Sequence, residues 1–94
     1  MDLRWSPLAL RDLQRVHGFL KTESPKTAIE ALTKIKKSGQ NLPFFPNIGV
    51  QIGNDADFRQ LTVAFGKQAY ILHYRIHHTS IVVLRVWHSK ENRK

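Results

Sequence analysis

Cysteine is absent from the 94 residues, which excludes disulfides, thiolate metal sites and a cysteine nucleophile. No apolar run approaches the roughly 20 residues that span a bilayer. The opening Met1-Asp2-Leu3-Arg4-Trp5-Ser6-Pro7 also lacks the basic-then-apolar pattern of a signal peptide. These absences suit a soluble protein of the reducing cytoplasm. Repeats, low-complexity tracts and linkers are missing too, and a chain this short cannot divide into two cores, so residues 1–94 are expected to form a single domain. Acidic residues are scarce, with seven Asp and Glu against fifteen Lys and Arg, for a formal charge of +8. A field of that sign draws polyanions, either nucleic acid or an acidic protein segment. The apolar fraction of 41% is too high for a disordered chain.

Leu3-Arg4-Trp5 reads as a short first strand. Ser6-Pro7 then starts a helix, with a serine to cap free N–H groups and a proline at the first helical position. Leu10, Leu13, Val16 and Leu20 recur at helical spacing and mark its buried stripe, while Asp12 and Arg15 read as a solvated pair off that stripe. Ser24-Pro25 repeats the start signal for a second helix, whose apolar positions are Ala28, Leu32 and Ile35, joined by Ile29 and Ala31. Gly39 is its natural stop. The short connection predicts an antiparallel helix hairpin. Between Asn41 and Asn54, four prolines and glycines surround Phe44 and Phe45, which predicts a loop pinned by aromatic side chains, with Ile48 and Val50 opening a strand.

From Asp57 the pattern changes to strand period. Three strands are predicted, over Phe58 to Phe65, Ala69 to His77 and Ile81 to Trp87, with Gly66-Lys67-Gln68 turning between the first two. Tyr70, Leu72, Tyr74 and Ile76 share one face of the second strand, and Ile71, His73, Arg75 and His77 the other. The expected fold class is α+β, a helix hairpin on a small twisted antiparallel sheet. Its core should hold Leu13, Val16, Leu32, Ile35, Leu72, Tyr74 and Leu84.

A Gly-rich phosphate loop, a Ser-His-Asp signature and a catalytic carboxylate pair are all missing. Asp55 and Asp57 read as turn formers. His73, His77 and His78 have the wrong spacing for a metal site, and His77 and His78 should point to opposite faces, so neither metal nor cofactor is expected. What remains is cationic. Arg59, Arg75 and Arg85 each lie in one of the late strands, His73 shares the face of Arg75, and His88 follows the last strand. Arginines in apolar strands lose hydration unless their heads reach water, a carboxylate or a phosphate. A metal-free ribonuclease site can be built from such parts, with histidine as acid or base and arginines on the phosphate oxygens.

Trp5-Ser6-Pro7-Leu8-Ala9 with Asp12-Leu13, the proline-started second helix, Arg59-Gln60-Leu61, Gly66 and the run Tyr70 to Ile76 follow one another in a known order. The last strand Val83-Leu84-Arg85-Val86-Trp87-His88 and the basic tail to Arg93 complete it. In this combination the chain resembles toxins of the RelE/ParE superfamily of type II toxin–antitoxin systems over nearly its full length. The resemblance implies a cognate antitoxin as partner, bound in a hetero-oligomer, and one of two activities: RelE-like cleavage of mRNA on the ribosome or ParE-like inhibition of DNA gyrase. Nuclease members often carry an arginine three residues before the aromatic matched by Tyr74, where this chain has Ile71, and their C-terminal tyrosine is missing here. His88 matches a histidine of some members. The departures favour the ParE-like reading. If the chain is instead a nuclease, His88, Arg75, Arg59 and Arg85 are the catalytic candidates. His73, Lys90, Arg93 and Lys94 are the candidates for target or antitoxin binding. A binding module that has kept the fold and lost the activity is the remaining alternative.

Overall fold

A computed structural model describes residues 1–91. In chain order it contains β1 (Asp2–Trp5), α1 (Pro7–Lys21), α2 (Pro25–Gln40), β2 (Val50–Ile52), β3 (Asp55–Phe65), β4 (Gln68–His77) and β5 (Ser80–His88). Both helices begin as the Ser-Pro pairs dictate: Ser6 Oγ accepts the Ala9 N–H at 3.0 Å and Ser24 Oγ the Thr27 N–H at 3.2 Å. The helix hairpin covers one face of a five-stranded sheet of order β1-β5-β4-β3-β2. Among the described residues, no helix is long and apolar enough to cross a membrane.

The sheet is mixed, not wholly antiparallel. β2 to β5 form the expected meander, but β1 lies parallel to β5, with Leu3 opposite Ile81 and Trp5 opposite Val83. The parallel pair joins the two ends of the chain across the whole hairpin and meander. Strand-period reading, being local, carries no information about such a pairing.

The core between the layers contains Ala9, Leu13, Val16, Leu20, Ala28, Ala31, Ile35, Leu42, Val63, Tyr70, Leu72, Tyr74, Ile81, Val83 and Val86. Leu13, Val16, Ile35, Leu72 and Tyr74 are thus buried as expected. Leu32 is half-buried at the margin. Leu84 is also half-buried, because the β4–β5 register shifts between His73 and Tyr74: His73 pairs with Arg85 and Tyr74 with Val83, which leaves Leu84 as the extra residue of a bulge. Leu10 and Ile29 are exposed, and Ala9 and Ala28 take the inward positions beside them.

Gly39 does not end α2, which continues to Gln40. Its lack of a Cβ serves packing instead: an added Cβ would stand 2.7 Å from Cζ2 of Trp5. Phe44 and Phe45 do not pin the loop after α2 either, since both side chains are exposed. Leu42 and a tyrosine hold that loop. Tyr74 Oη donates to the Pro46 carbonyl at 2.7 Å and accepts the Gly49 N–H at 2.9 Å.

Candidate functional site

β1 pairs with β5 only as far as Val83, so the next stretch of that strand edge needs other partners. The first turns of α1 supply them. The Ser6 N–H donates to the Val83 carbonyl at 2.9 Å, Ser6 Oγ to the Leu84 carbonyl at 2.8 Å, and Arg15 Nη2 to the Val86 carbonyl at 3.2 Å. Asp12 takes the Val86 N–H on Oδ2 at 2.8 Å. Asp12 is therefore no solvated residue. It is 2% exposed and accepts from Arg15, from Arg85 Nε at 2.8 Å and Nη2 at 3.1 Å, and from the backbone. Burial pushes its carboxyl up, but the bonds from Arg85, the Val86 N–H and Arg15 together outweigh burial and hold it below the usual carboxylate value. Helical spacing alone does not place Asp12 on the buried stripe, because a carboxylate is stable there only with partners that lie 73 and 74 residues away.

That network commits Arg85. Arg59 is committed elsewhere: its guanidinium donates to the carbonyls of Ala56 at 2.8 Å, Gly49 at 2.8 Å and Asn47 at 3.3 Å. Arg75 donates to Asp55 Oδ2 at 2.7 Å and lies 5.4 Å from the Phe58 ring centroid. Asp55 is the first residue of β3 rather than a turn residue, and the Arg75 bond, then the Asp57 N–H, hold its carboxyl low. Strand register separates the arginines further. Arg59 pairs with core-facing Tyr74, whereas Arg75 pairs with Phe58, so the two lie on opposite faces of the sheet. The three cations do not converge.

His73 lies on the helix-free face beside Arg75. Its Nε2 is 2.9 Å from Gln60 Oε1, and its ring meets Phe58 and Trp87 edge-on at 5.3 and 4.5 Å. His77 and His78 are not on opposite faces: β4 ends at His77, and His78, at φ 52° in the turn, brings the two rings within 4.4 Å.

His88 lies opposite Tyr70 on β4. Its ring meets Tyr70 edge-on at 5.3 Å, its Nδ1 accepts the Lys90 N–H at 3.0 Å, and its Nε2 contacts Gln68 Oε1. An Nδ1 that accepts fixes the proton of the neutral ring on Nε2, which donates to Gln68. Glu91 closes the turn, accepting the His88 N–H at 2.9 Å and pairing with Arg15 at 3.1 Å. His88, Lys90, Arg15 and Glu91 thereby border a groove of about 660 Å³ whose apolar wall includes Phe19, Phe65 and Tyr70. This groove escaped the sequence reading because its walls come from α1, α2, β3, β4 and β5 together. Lys90 is exposed at its rim, and Arg93 and Lys94 lie outside the described residues.

Comparison with known proteins agrees with this architecture. The family model for the ParE toxin of the type II toxin–antitoxin system parDE matches residues 3–93. The chain is 31% identical to the toxin RelE3 of Caulobacter vibrioides over 87 residues, covering 93% of this chain and 92% of that protein. It is 29% identical to the toxin RelE1 of the same bacterium over 85 residues, covering 90% and 89%. A solved structure described as the chromosomal ParDE TA system from P. aeruginosa superposes with a TM-score of 0.78 at 22% identity, over 94% of this chain and 95% of that chain. The Trp-Ser-Pro opening and Asp12 that complete the β5 edge, the helix hairpin and the five-stranded sheet thus stand in a chain that belongs to the ParE toxin family of type II toxin–antitoxin systems.

Proposed function

We propose that this toxin arrests growth in the cytoplasm by binding a protein target, DNA gyrase, rather than by cutting RNA, and that a cognate antitoxin neutralises it. One observation carries the reading. A phosphodiester-cleaving site needs its acid or base beside unengaged cations, whereas Arg59, Arg75 and Arg85 are separated and already bound to carbonyls, Asp55 and Asp12. Ile71, where nuclease relatives often carry arginine, points the same way. In this reading His73, Lys90, Arg93 and Lys94 contribute to binding of target or antitoxin, and the surplus of eight positive charges attracts the acidic segment of the antitoxin.

RNA cleavage is the second reading, favoured by the groove that joins His88 to Arg15 and Lys90 and by the RelE names of two relatives. A paired assay separates the two. Purified toxin should inhibit gyrase supercoiling and leave mRNA on programmed ribosomes intact, and His88→Ala should keep that inhibition. Codon-dependent cleavage that falls about 10²–10⁴-fold in His88→Ala would overturn the proposal in favour of a nuclease with His88 as acid or base.

A further inference from the structure

The segment between α2 and β2 combines three properties that the functions above leave unused. From Ser38 to Asn54 no residue carries a charge, in a chain of net charge +8. Within it, Phe44, Phe45, Ile48 and Val50 are 78%, 61%, 60% and 74% exposed. The backbone beneath them is nevertheless held firmly. The Phe44 and Phe45 N–H groups both donate to the Asn41 carbonyl at 3.1 Å, and Tyr74 clamps Pro46 and Gly49 from below. Arg59 ties the Asn47 and Gly49 carbonyls to β3, and Leu42 is fully buried.

A rigid knuckle that holds two adjacent aromatic side chains in water has the form of a protein-binding anchor. Its ordering entropy is already spent before any partner arrives, and aromatic anchors dominate binding energy at such sites. A polyanion has nothing to grip along an uncharged surface, so a nucleic acid is the wrong occupant. Cations begin at the α2 end of the knuckle: Lys34 and Lys37 are exposed in the last two turns of α2, and the Asn41 N–H donates to the Lys37 carbonyl, whereas the β3 end carries Asp55, paired with Arg75, and the exposed Asp57. An apolar centre beside a basic flank fits an apolar segment that also carries carboxylates.

We propose that Phe44, Phe45, Ile48 and Val50 form a docking surface for the antitoxin, through a segment whose apolar side chains cover the two phenylalanines and whose acidic residues reach Lys34 and Lys37. This rests on the chain's having an antitoxin and does not depend on which target it poisons. The opposite sheet edge, β1, instead carries exposed charged residues, Asp2 and Arg4.

The test measures affinity of the full-length toxin for the antitoxin encoded by its adjacent open reading frame. A Phe44→Ser, Phe45→Ser double variant should bind about 30-fold more weakly or worse, the size expected when an aromatic hot spot is removed. Ile29→Ser, which removes an exposed apolar side chain from the second turn of α2, should bind as the wild type does. Thermal melts check that both variants fold, and both should keep the wild-type inhibition of the target. Hydroxyl-radical footprinting of the wild-type complex needs no variant and should show the Phe44 and Phe45 rings protected. Unchanged antitoxin affinity in the double variant, or rings that stay reactive in the complex, would overturn the proposal. Loss of target inhibition with antitoxin affinity intact would overturn it in favour of the target as occupant.

Discussion

Replacing Asp12 by asparagine tests the β5-edge argument most directly. The carboxylate accepts four hydrogen bonds, from Arg15, from Arg85 twice and from the Val86 N–H. An amide of the same size offers one oxygen and turns an NH2 towards at least one of those donors, so part of the set is lost and a donor faces a donor. Arg15 and Arg85 are 44% and 36% exposed and can recover hydration, which discounts their share. The Val86 N–H is buried and cannot. Charge-assisted bonds and one stranded donor, discounted in this way, come to about 2–4 kcal/mol. For a domain of this length that lowers the melting temperature by roughly 10–30 °C. The pH dependence follows from the lowered pKa of Asp12. A depressed folded-state pKa contributes stability that is present above the unfolded value of about 3.9 and is lost as pH falls through the folded value. Urea melts of wild type and Asp12→Asn should therefore differ most near neutrality and converge in the acid range below about pH 4. Equal midpoints at neutral pH would refute the idea that Asp12 completes the strand edge.

Asp55→Asn provides the contrast, because its ion pair with Arg75 is exposed and its loss should leave the neutral-pH melting midpoint unchanged. Gly39→Ala should destabilise by about 1–3 kcal/mol despite the better helix propensity of alanine, since the Trp5 indole must shift. A double-mutant cycle with Trp5→Leu should show the two changes coupled, and additive effects would sink the steric account. Tyr74→Phe removes the two hydroxyl bonds to the knuckle, leaving those of Arg59, and should cost about 1–3 kcal/mol, with faster hydrogen exchange at the Gly49 amide as its local signature. An unchanged exchange rate there would show that Tyr74 does not hold the loop.

Phe44 and Phe45 show how far local reasoning reaches. Two phenylalanines between prolines look like anchors that turn inward, because large aromatics gain most from burial. Leu42 and Tyr74 are the side chains buried here, and the two rings stand outside. The catalytic candidates show the same limit. Arg59, Arg75 and Arg85 do occupy three neighbouring strands, as read from the sequence, but one residue of strand parity separates the faces of Arg59 and Arg75, and Arg85, beside a bulge, is bound to Asp12 of α1.

Ser-Pro pairs, helical spacing and alternating strands are properties of a few consecutive residues, and they determined both helices, the three long strands and the two faces of β4 before any fold was known. The parallel β1–β5 pair, the buried Asp12, the close contact of Gly39 with Trp5 and the groove beside His88 were decided only by tertiary structure. Each joins side chains or backbone groups distant in sequence, and whether a carboxylate is buried or an arginine left available depends on partners that no local pattern names.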